Sequence, residues 1–138
     1  MSYRFTVGVP LRWVDVDSKG VVNNAVYLHL VEEARFQYFG RLGLLPAGNV
    51  EFVLAEAVLR FVRPGRLGMA TEVSARTVRL GRTSCSMEYE IRGDGEVLVR
   101  SSAVLVFVGE DGRPRPLTDA ERAAIGDFEG IPISAGDP

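Results

Sequence analysis

The chain has few of the residues that build disulfides and metal sites. Its 138 residues include one cysteine, Cys85, and one histidine, His29. A lone cysteine forms no disulfide within a chain, and these two residues cannot complete a four-ligand zinc site. We therefore expect no metal and no cofactor. Low cysteine usage also predicts a reducing cytoplasm as the setting.

Long apolar runs and an excess of positive charge are also lacking. No stretch of 18 apolar residues occurs and the first 13 residues alternate, so we expect neither export nor a membrane span. The 16 basic and 18 acidic side chains give a net charge of -2, which argues against a nucleic-acid binder. With 46% apolar residues, a chain of this length can bury its own core, so we expect residues 1–138 to form one domain.

Hydrophobic periodicity first predicts a strand and then a long helix. Apolar side chains occupy the odd positions from Tyr3 to Trp13, the period of a half-buried strand. Residues 25–42 are rich in helix formers and are followed by the helix-ending residues Gly43 and Pro46. The apolar residues of this helix fall nearly all round its axis, which predicts that protein surrounds it.

The remainder predicts four more strands and a short terminal helix. The strands cover residues 50–62, 68–80, 82–92 and 96–108. Short turns separate them, so sequential neighbours must be antiparallel. Thr118 and Glu121 form the pattern of a capping box at the start of a helix over residues 118–128. We expect residues 129–138 to be a loose tail.

This order of elements predicts an α+β fold. One long apolar helix has to be covered by one antiparallel sheet of about five strands. The simplest arrangement is a curved sheet wrapped around the central helix.

Polar side chains suited to catalysis gather between the first strand and the long helix. Residues 15–27 read DVDSKGVVNNAVY and place Asp15 and Asp17 shortly before the helix start. Free N–H groups at a helix start carry about half a positive charge and would stabilise a carbonyl oxygen that becomes negative. A nearby carboxylate could attack that carbonyl or activate water. Acyl transfer is the chemistry that this segment favours.

The same segment resembles a known family. Asp-x-Asp-x-x-Gly-x-Val, then Tyr27 and Glu-Glu-Ala-Arg at residues 32–35, is similar to the hot-dog-fold acyl-CoA thioesterases of the 4-hydroxybenzoyl-CoA thioesterase type. Residues 22–27 are also similar to acyl-acyl-carrier-protein thioesterases. The resemblance covers about residues 5–108 and implies a hot-dog fold and hydrolysis of an acyl-CoA thioester. It implies Asp17 as nucleophile or general base, with the backbone N–H near Asn24 polarising the carbonyl.

The resemblance also implies a site between subunits of a homodimer or homotetramer, which agrees with the need to cover sheet edges. The turn at residues 81–84 would border the site from the partner subunit. Arginines in that turn and at Arg115 would meet coenzyme A phosphates. The substrate contacts expected in this way are Asn23, Asn24, Tyr27, Arg82, Thr83, Ser84 and Arg115.

Simpler roles and rival functions stay open. Many relatives carry a histidine after the loop glycine or near the helix start, where this chain has Val21, Asn23 and Asn24. Asp17 would therefore act alone or with Asn23 as an orienting amide. Asp15 and Asp17 could instead be turn formers, and Asn24 a helix cap. Functional alternatives are an acyl-CoA-binding or regulatory module without turnover, an acyl-acyl-carrier-protein thioesterase, a hydratase, and an oligomerisation domain.

Overall fold

The computed structural model describes residues 2–45 and 51–134. Five strands, two α-helices and one 3-10 turn follow one another in the predicted order. In sequence, these are β1 (Phe5–Gly8), the 3-10 turn (Trp13–Asp15), α1 (Val26–Arg41), β2 (Phe52–Phe61), β3 (Thr71–Leu80), β4 (Ser84–Gly93), β5 (Glu96–Phe107) and α2 (Asp119–Glu129). No helix among the described residues is long and apolar enough to cross a membrane.

The strands form one antiparallel sheet in the order β1-β3-β4-β5-β2, curved around α1. This confirms the predicted α+β hot-dog arrangement. The two-residue turn between β4 and β5 uses Asp94 and Gly95, both at positive φ (51° and 81°), as a tight hairpin requires. The strands at the two edges of the sheet are β1 and β2.

The core lies between α1 and the concave face of the sheet. The buried α1 residues are Tyr27, Leu30, Val31, Ala34, Arg35, Tyr38 and Phe39. On β4, Cys85 alternates with Met87, Tyr89 and Ile91, and all four are buried. Burial raises the pKa of the Cys85 thiol to about 12, so this residue packs and is not a nucleophile at neutral pH.

The opposite face of α1 is not covered within one chain. Leu28 and Phe36 are 41% and 44% exposed, and His29 is exposed as well. The expectation that protein surrounds this helix is therefore not met by the residues of a single chain.

The first strand is shorter than predicted. The Val9 N–H still donates to the Thr71 carbonyl at 3.0 Å, but Pro10 has no N–H to continue the ladder. The predicted strand is therefore wrong beyond Gly8, and Trp13, at 82% exposure, lies outside the core. The start of the second predicted strand, Val50, lies outside the described residues.

The C-terminal helix is tied to the core. The Glu121 N–H donates to Thr118 Oγ1 at 3.1 Å and the Thr118 N–H donates to Glu121 Oε1 at 2.8 Å, which confirms the capping box. Glu129 belongs to α2 and is not part of a loose tail: Glu129 Oε2 accepts hydrogen bonds from the Tyr38 hydroxyl at 2.6 Å and the Thr77 N–H at 2.7 Å. Residues 135–138 of the predicted tail lie outside the described residues.

Candidate active site

A small hairpin carries the candidate carboxylates to the start of α1. The Asn23 N–H donates to the Asp15 carbonyl at 2.9 Å and the Asp17 N–H donates to the Val21 carbonyl at 2.9 Å. Gly20 turns the hairpin at φ +75°, a backbone conformation that favours glycine. Residues 15–23 therefore run out and back, and the chain enters α1 next to the hairpin.

Asp17 lies exposed at the tip of this hairpin. One of its carboxylate oxygens, Oδ1, accepts the N–H groups of Lys19 at 2.8 Å and Val21 at 3.1 Å. These bonds match the turn-forming role considered from the sequence. The other oxygen, Oδ2, has no hydrogen-bond partner among the described residues. Asp17 thus forms the turn and still presents one unengaged oxygen.

Asp15 is buried and paired. Its Oδ2 accepts the Arg12 N–H at 2.8 Å, and its Oδ1 accepts Arg12 Nη2 at 2.9 Å. The hydrogen bonds from Arg12 lower the pKa of Asp15 against the opposing effect of burial. Asp15 therefore holds the 3-10 turn beside the hairpin in place and has no free oxygen turned toward a substrate.

The start of α1 differs from the predicted cap. The N-cap residue is Ala25 with no side-chain capping bond, so the prediction of Asn24 as the cap is wrong. The hydrogen bonds at the helix start are accepted by Asn23, the residue before Asn24. Its Oδ1 accepts the Ala25 N–H at 3.0 Å and its carbonyl accepts the Val26 N–H at 2.9 Å. The N–H of Asn24 donates to no described residue. Asn23 and Asn24 are both exposed.

Tyr27 is buried in the first turn of α1, at 2% exposure. Its hydroxyl accepts the Gly65 N–H at 2.9 Å, and its ring lies 5.8 Å from that of Phe61. The ring also borders a cleft of about 250 Å³ that Asn24 and Arg63 line. A ligand in this cleft would meet the ring of Tyr27, while the hydroxyl serves the fold.

The other predicted contacts lie at the opposite end of the sheet. Thr83 and Ser84 begin β4, whereas Tyr27 lies beside Gly65 and Leu98, near the far end of β4. Ten strand residues at about 3.4 Å each separate the two ends by about 30 Å. One chain therefore does not bring the turn at residues 81–84 to Asp17.

Arg82 and Arg115 belong to this distant group. Arg82 is exposed, and its carbonyl accepts the Leu117 N–H at 3.0 Å. Arg115 forms ion pairs of 2.8 Å with both Glu121 and Glu51. The hydrogen bonds that Arg115 donates to Glu121 raise the pKa of Arg115 above its already high ordinary value. Arg115 is thus neutralised within the chain, which weakens its predicted role on a phosphate.

A larger cavity, which the sequence did not predict, opens beside α1. It measures about 750 Å³ and lies between α1, residues 8–10 and the start of β2. One of its lining residues is Arg35, 5% exposed, whose Nε donates to the Tyr89 hydroxyl at 2.8 Å. The sequence signal for Arg35 was its place in the Glu-Glu-Ala-Arg motif of α1. Its burial, however, depends on Tyr89, which lies 54 positions away in the chain. Among the described residues no cluster of three metal-ligating side chains occurs.

Fold and loop together define a hot-dog domain in which a hairpin carrying Asp17 leads into the central helix. Residues 19–100 match the model of the thioesterase superfamily, and the chain belongs to this superfamily. It is a thioester hydrolase. The matched segment contains Asn23, Asn24 and Tyr27 but begins after Asp17. A comparison with curated proteins gave no match.

Solved structures agree with this assignment. A Thermus thermophilus thioesterase, crystallised with coenzyme A and zinc, is 41% identical with a TM-score of 0.85, over 94% of this chain and 98% of that chain. A predicted thioesterase from Bacillus stearothermophilus is 25% identical with a TM-score of 0.82, over 97% and 98% of the two chains. A 1,4-dihydroxy-2-naphthoyl-CoA thioesterase from Synechocystis shares the fold at 22% identity and a TM-score of 0.78, over 89% and 96%.

Proposed function

We propose that this protein hydrolyses an acyl-CoA thioester to the free acid and coenzyme A, with Asp17 as the catalytic carboxylate. The observation that carries the proposal is that one hairpin holds an unengaged carboxylate oxygen of Asp17 and ends at the unpaired N–H of Asn24. The similarity to a thioesterase crystallised with coenzyme A supports coenzyme A as the carrier. A cytoplasmic location remains a prediction from cysteine usage.

The reaction follows from these two groups. The thioester carbonyl oxygen lies at the N-terminus of α1, where the Asn24 N–H and the helix dipole stabilise the negative charge that it gains. Asp17 Oδ2 attacks the carbonyl carbon, or takes a proton from a water molecule that attacks it. The carbon–sulfur bond then breaks and coenzyme A leaves as the thiolate. If Asp17 attacks, a water molecule then hydrolyses the mixed anhydride, which releases the free acid and restores Asp17.

The turn around Asp17 supports this role. Two backbone N–H groups hold Oδ1, so the side chain keeps one orientation and directs Oδ2 outward. No imidazole bonds Asp17 among the described residues, since His29 lies along α1. The proposed mechanism therefore assigns no step to a histidine.

We further propose that a second copy of the chain completes the site, because an exposed carboxylate is poorly shielded from bulk water. The strand β2 lies at the sheet edge, where its ten residues have no partner on one side. It also exposes large apolar side chains. These are Val53, Leu54, Val58 and Phe61. Long apolar edge strands are the usual sites of strand pairing between chains.

Antiparallel pairing of β2 with its copy would join opposite ends of the two sheets. The end of β2 lies at the Asp17 end of the sheet, since Phe61 contacts Tyr27. The start of β2 lies at the other end, since Glu51 pairs with Arg115. A two-fold axis across β2 would therefore carry the partner's turn at residues 81–84 toward Asp17. This supports the predicted contacts of Arg82, Thr83 and Ser84 from the partner subunit.

A thiol-release assay over acyl-CoA and acyl-carrier-protein thioesters tests the catalytic proposal. We expect Asp17→Asn to lower kcat by at least about 100-fold, since a catalytic base or nucleophile is lost. Asp111→Asn is the matched control, because Asp111 also accepts a backbone N–H two residues on, from Arg113 at 2.9 Å, on an exposed turn. It should change kcat by less than about 2-fold.

Equal rates for Asp17→Asn and Asp111→Asn would contradict the assignment of Asp17. Tight acyl-CoA binding without turnover on any thioester would instead favour the binding-module alternative. A preference for acyl-carrier-protein over coenzyme A substrates would correct the carrier and leave the role of Asp17 intact.

A further inference from the structure

Arg35 is a buried cation with no acidic partner among the described residues. It is 5% exposed, its Nε donates to the Tyr89 hydroxyl at 2.8 Å, and its guanidinium carbon lies 5.4 Å from the Tyr89 ring centre. Neither of its two amino groups donates to a described residue. No fully buried side-chain nitrogen or oxygen of the described residues lacks a partner, so these amino groups keep some exposure, and Arg35 lines the adjoining cavity.

Other shielded arginines of the described chain have carboxylate or carbonyl partners for their amino groups, and the half-buried Arg122 donates to the carbonyls of Gly81, Arg82 and Ile133. The side chain of Arg76 is 13% exposed and forms an ion pair with Glu88, and that of Arg115 is 22% exposed and pairs with Glu121. A guanidinium does not lose its proton in a protein, so burial without a counter-charge is costly. The missing anion of Arg35 must therefore come from outside the described chain.

The cavity beside Arg35 has the size and walls of an acyl site. Its volume of about 750 Å³ lies in the usual range for small-molecule sites. Apolar side chains of α1 and β2, including Leu30, Phe36 and Phe52, line it. The lining also reaches Val26, the first residue of α1. Nine helical residues separate Val26 from Arg35, which corresponds to about 13 Å along the axis.

We propose that this cavity holds the acyl group and that Arg35 binds a carboxylate at the end of the acyl chain remote from the thioester. The inference rests on the proposed function and narrows its substrate class to ω-carboxyacyl thioesters. Two free amino groups of a planar guanidinium match the two oxygens of a carboxylate. The thioester would lie at the start of α1 while the distal carboxylate reaches Arg35.

The other charged residues at the cavity do not cancel the attraction of Arg35 for a carboxylate. Arg12 and Asp15 neutralise each other. Glu32 and Glu33 lie on the exposed side of α1, where water screens them, and Glu33 accepts the Gln37 amide at 3.0 Å. Arg35, in contrast, is shielded from bulk water, where a charge acts more strongly.

Binding of non-hydrolysable thioethers tests the inference without any turnover. Calorimetric titration compares S-(ω-carboxyalkyl)-coenzyme A with S-alkyl-coenzyme A of equal chain length, over chains of four to ten carbons. We expect the wild type to bind the best carboxylated compound at least about 10-fold more tightly than the S-alkyl compound of equal length, since a hydrogen bond between charged groups changes an affinity by one to two powers of ten. Arg35→Met should abolish this ratio of affinities, and Arg35→Lys should keep part of it.

Arg41→Met is the control, because Arg41 is exposed on the same helix and should keep the full ratio. No preference for the carboxylated compound in the wild type, or the same preference in Arg35→Met, would overturn the inference. Loss of self-association in Arg35→Met, seen by light scattering, would also overturn it, because the partner of Arg35 would then be a carboxylate of a second copy. A preserved preference without hydrolysis of any thioester would support the inference and refute only the proposed function.

Discussion

Replacing Tyr27 by Phe separates the two roles that this residue can play. The Tyr27 hydroxyl accepts the buried Gly65 N–H at 2.9 Å, whereas the ring packs against Phe61 and borders the small cleft. The substitution keeps the ring and removes one oxygen. The Gly65 N–H then loses its acceptor, and an unsatisfied buried donor costs about 1–3 kcal/mol of unfolding free energy.

Water is not expected to replace the lost oxygen. A carbon atom added at Gly65 would lie 3.0 Å from both the Tyr27 oxygen and a Val22 methyl group, which shows how closely this site is packed. The space vacated by one oxygen atom in such a setting is too small for a water molecule with several polar partners. The full cost of the unpaired N–H should therefore be measured.

Urea unfolding followed by circular dichroism measures this cost at one fixed protein concentration, because self-association would shift the transition. Tyr3→Phe is the control, since the Tyr3 hydroxyl bonds no described residue, and it should change the unfolding free energy by less than about 0.5 kcal/mol. KM of the folded Tyr27→Phe variant should stay within about 3-fold, because the ring remains. Unchanged stability combined with a raised KM would refute this reasoning and make the hydroxyl a substrate ligand.

Two further outcomes are expected. Val58→Asp, near the middle of the β2 edge, should abolish the proposed self-association, measured by light scattering, and lower kcat/KM at least about 10-fold. Val78→Asp on strand β3, at 40% exposure against 41% for Val58, should change neither property. Arg12 lowers the pKa of Asp15 in the folded state. The ionised carboxylate therefore stabilises the fold above the unfolded-state pKa of about 3.9, and this stability is lost as the pH falls through the lower folded-state pKa. Unfolding free energies measured from pH 6 to pH 2 should therefore decline less steeply below about pH 4 in Asp15→Asn than in the wild type, and parallel curves would contradict the role of Arg12.

The order of the elements was predictable because each depends on a local pattern. Alternation and short turns give the four antiparallel strands after α1, and the capping box gives the start of α2. The errors occur where one residue overrides the pattern. Pro10 ends β1 although the alternation continues, and the Asn23 side chain takes the hydrogen bond expected of Asn24. Such errors follow from hydrogen-bond geometry, which periodicity does not contain.

The candidate site was predictable only where it is contiguous in the chain. Asp17, Asn23 and Asn24 lie within eight residues, so a short motif specifies their loop. The turn at residues 81–84 is about 30 Å away in the same chain, and its place in the site depends on how two copies pair. Arg35 was missed because its environment is made by Tyr89, on a strand far along the sequence.

Two features of the described chain that lack a partner, the β2 edge and Arg35, adjoin the same cavity. The edge of β2 lacks a strand partner, and Phe52 and Leu54 of the same strand line the cavity that Arg35 also lines. Pairing β2 with its copy would therefore cover the apolar edge and narrow the cavity in one step. Because charges act more strongly where water is excluded, the same step would strengthen the pull of the Asn24 N–H on a thioester oxygen and of Arg35 on a distal carboxylate. Self-association and substrate selection would then depend on the same surface, so a variant that only weakens the β2 edge should lose the carboxylate preference together with turnover.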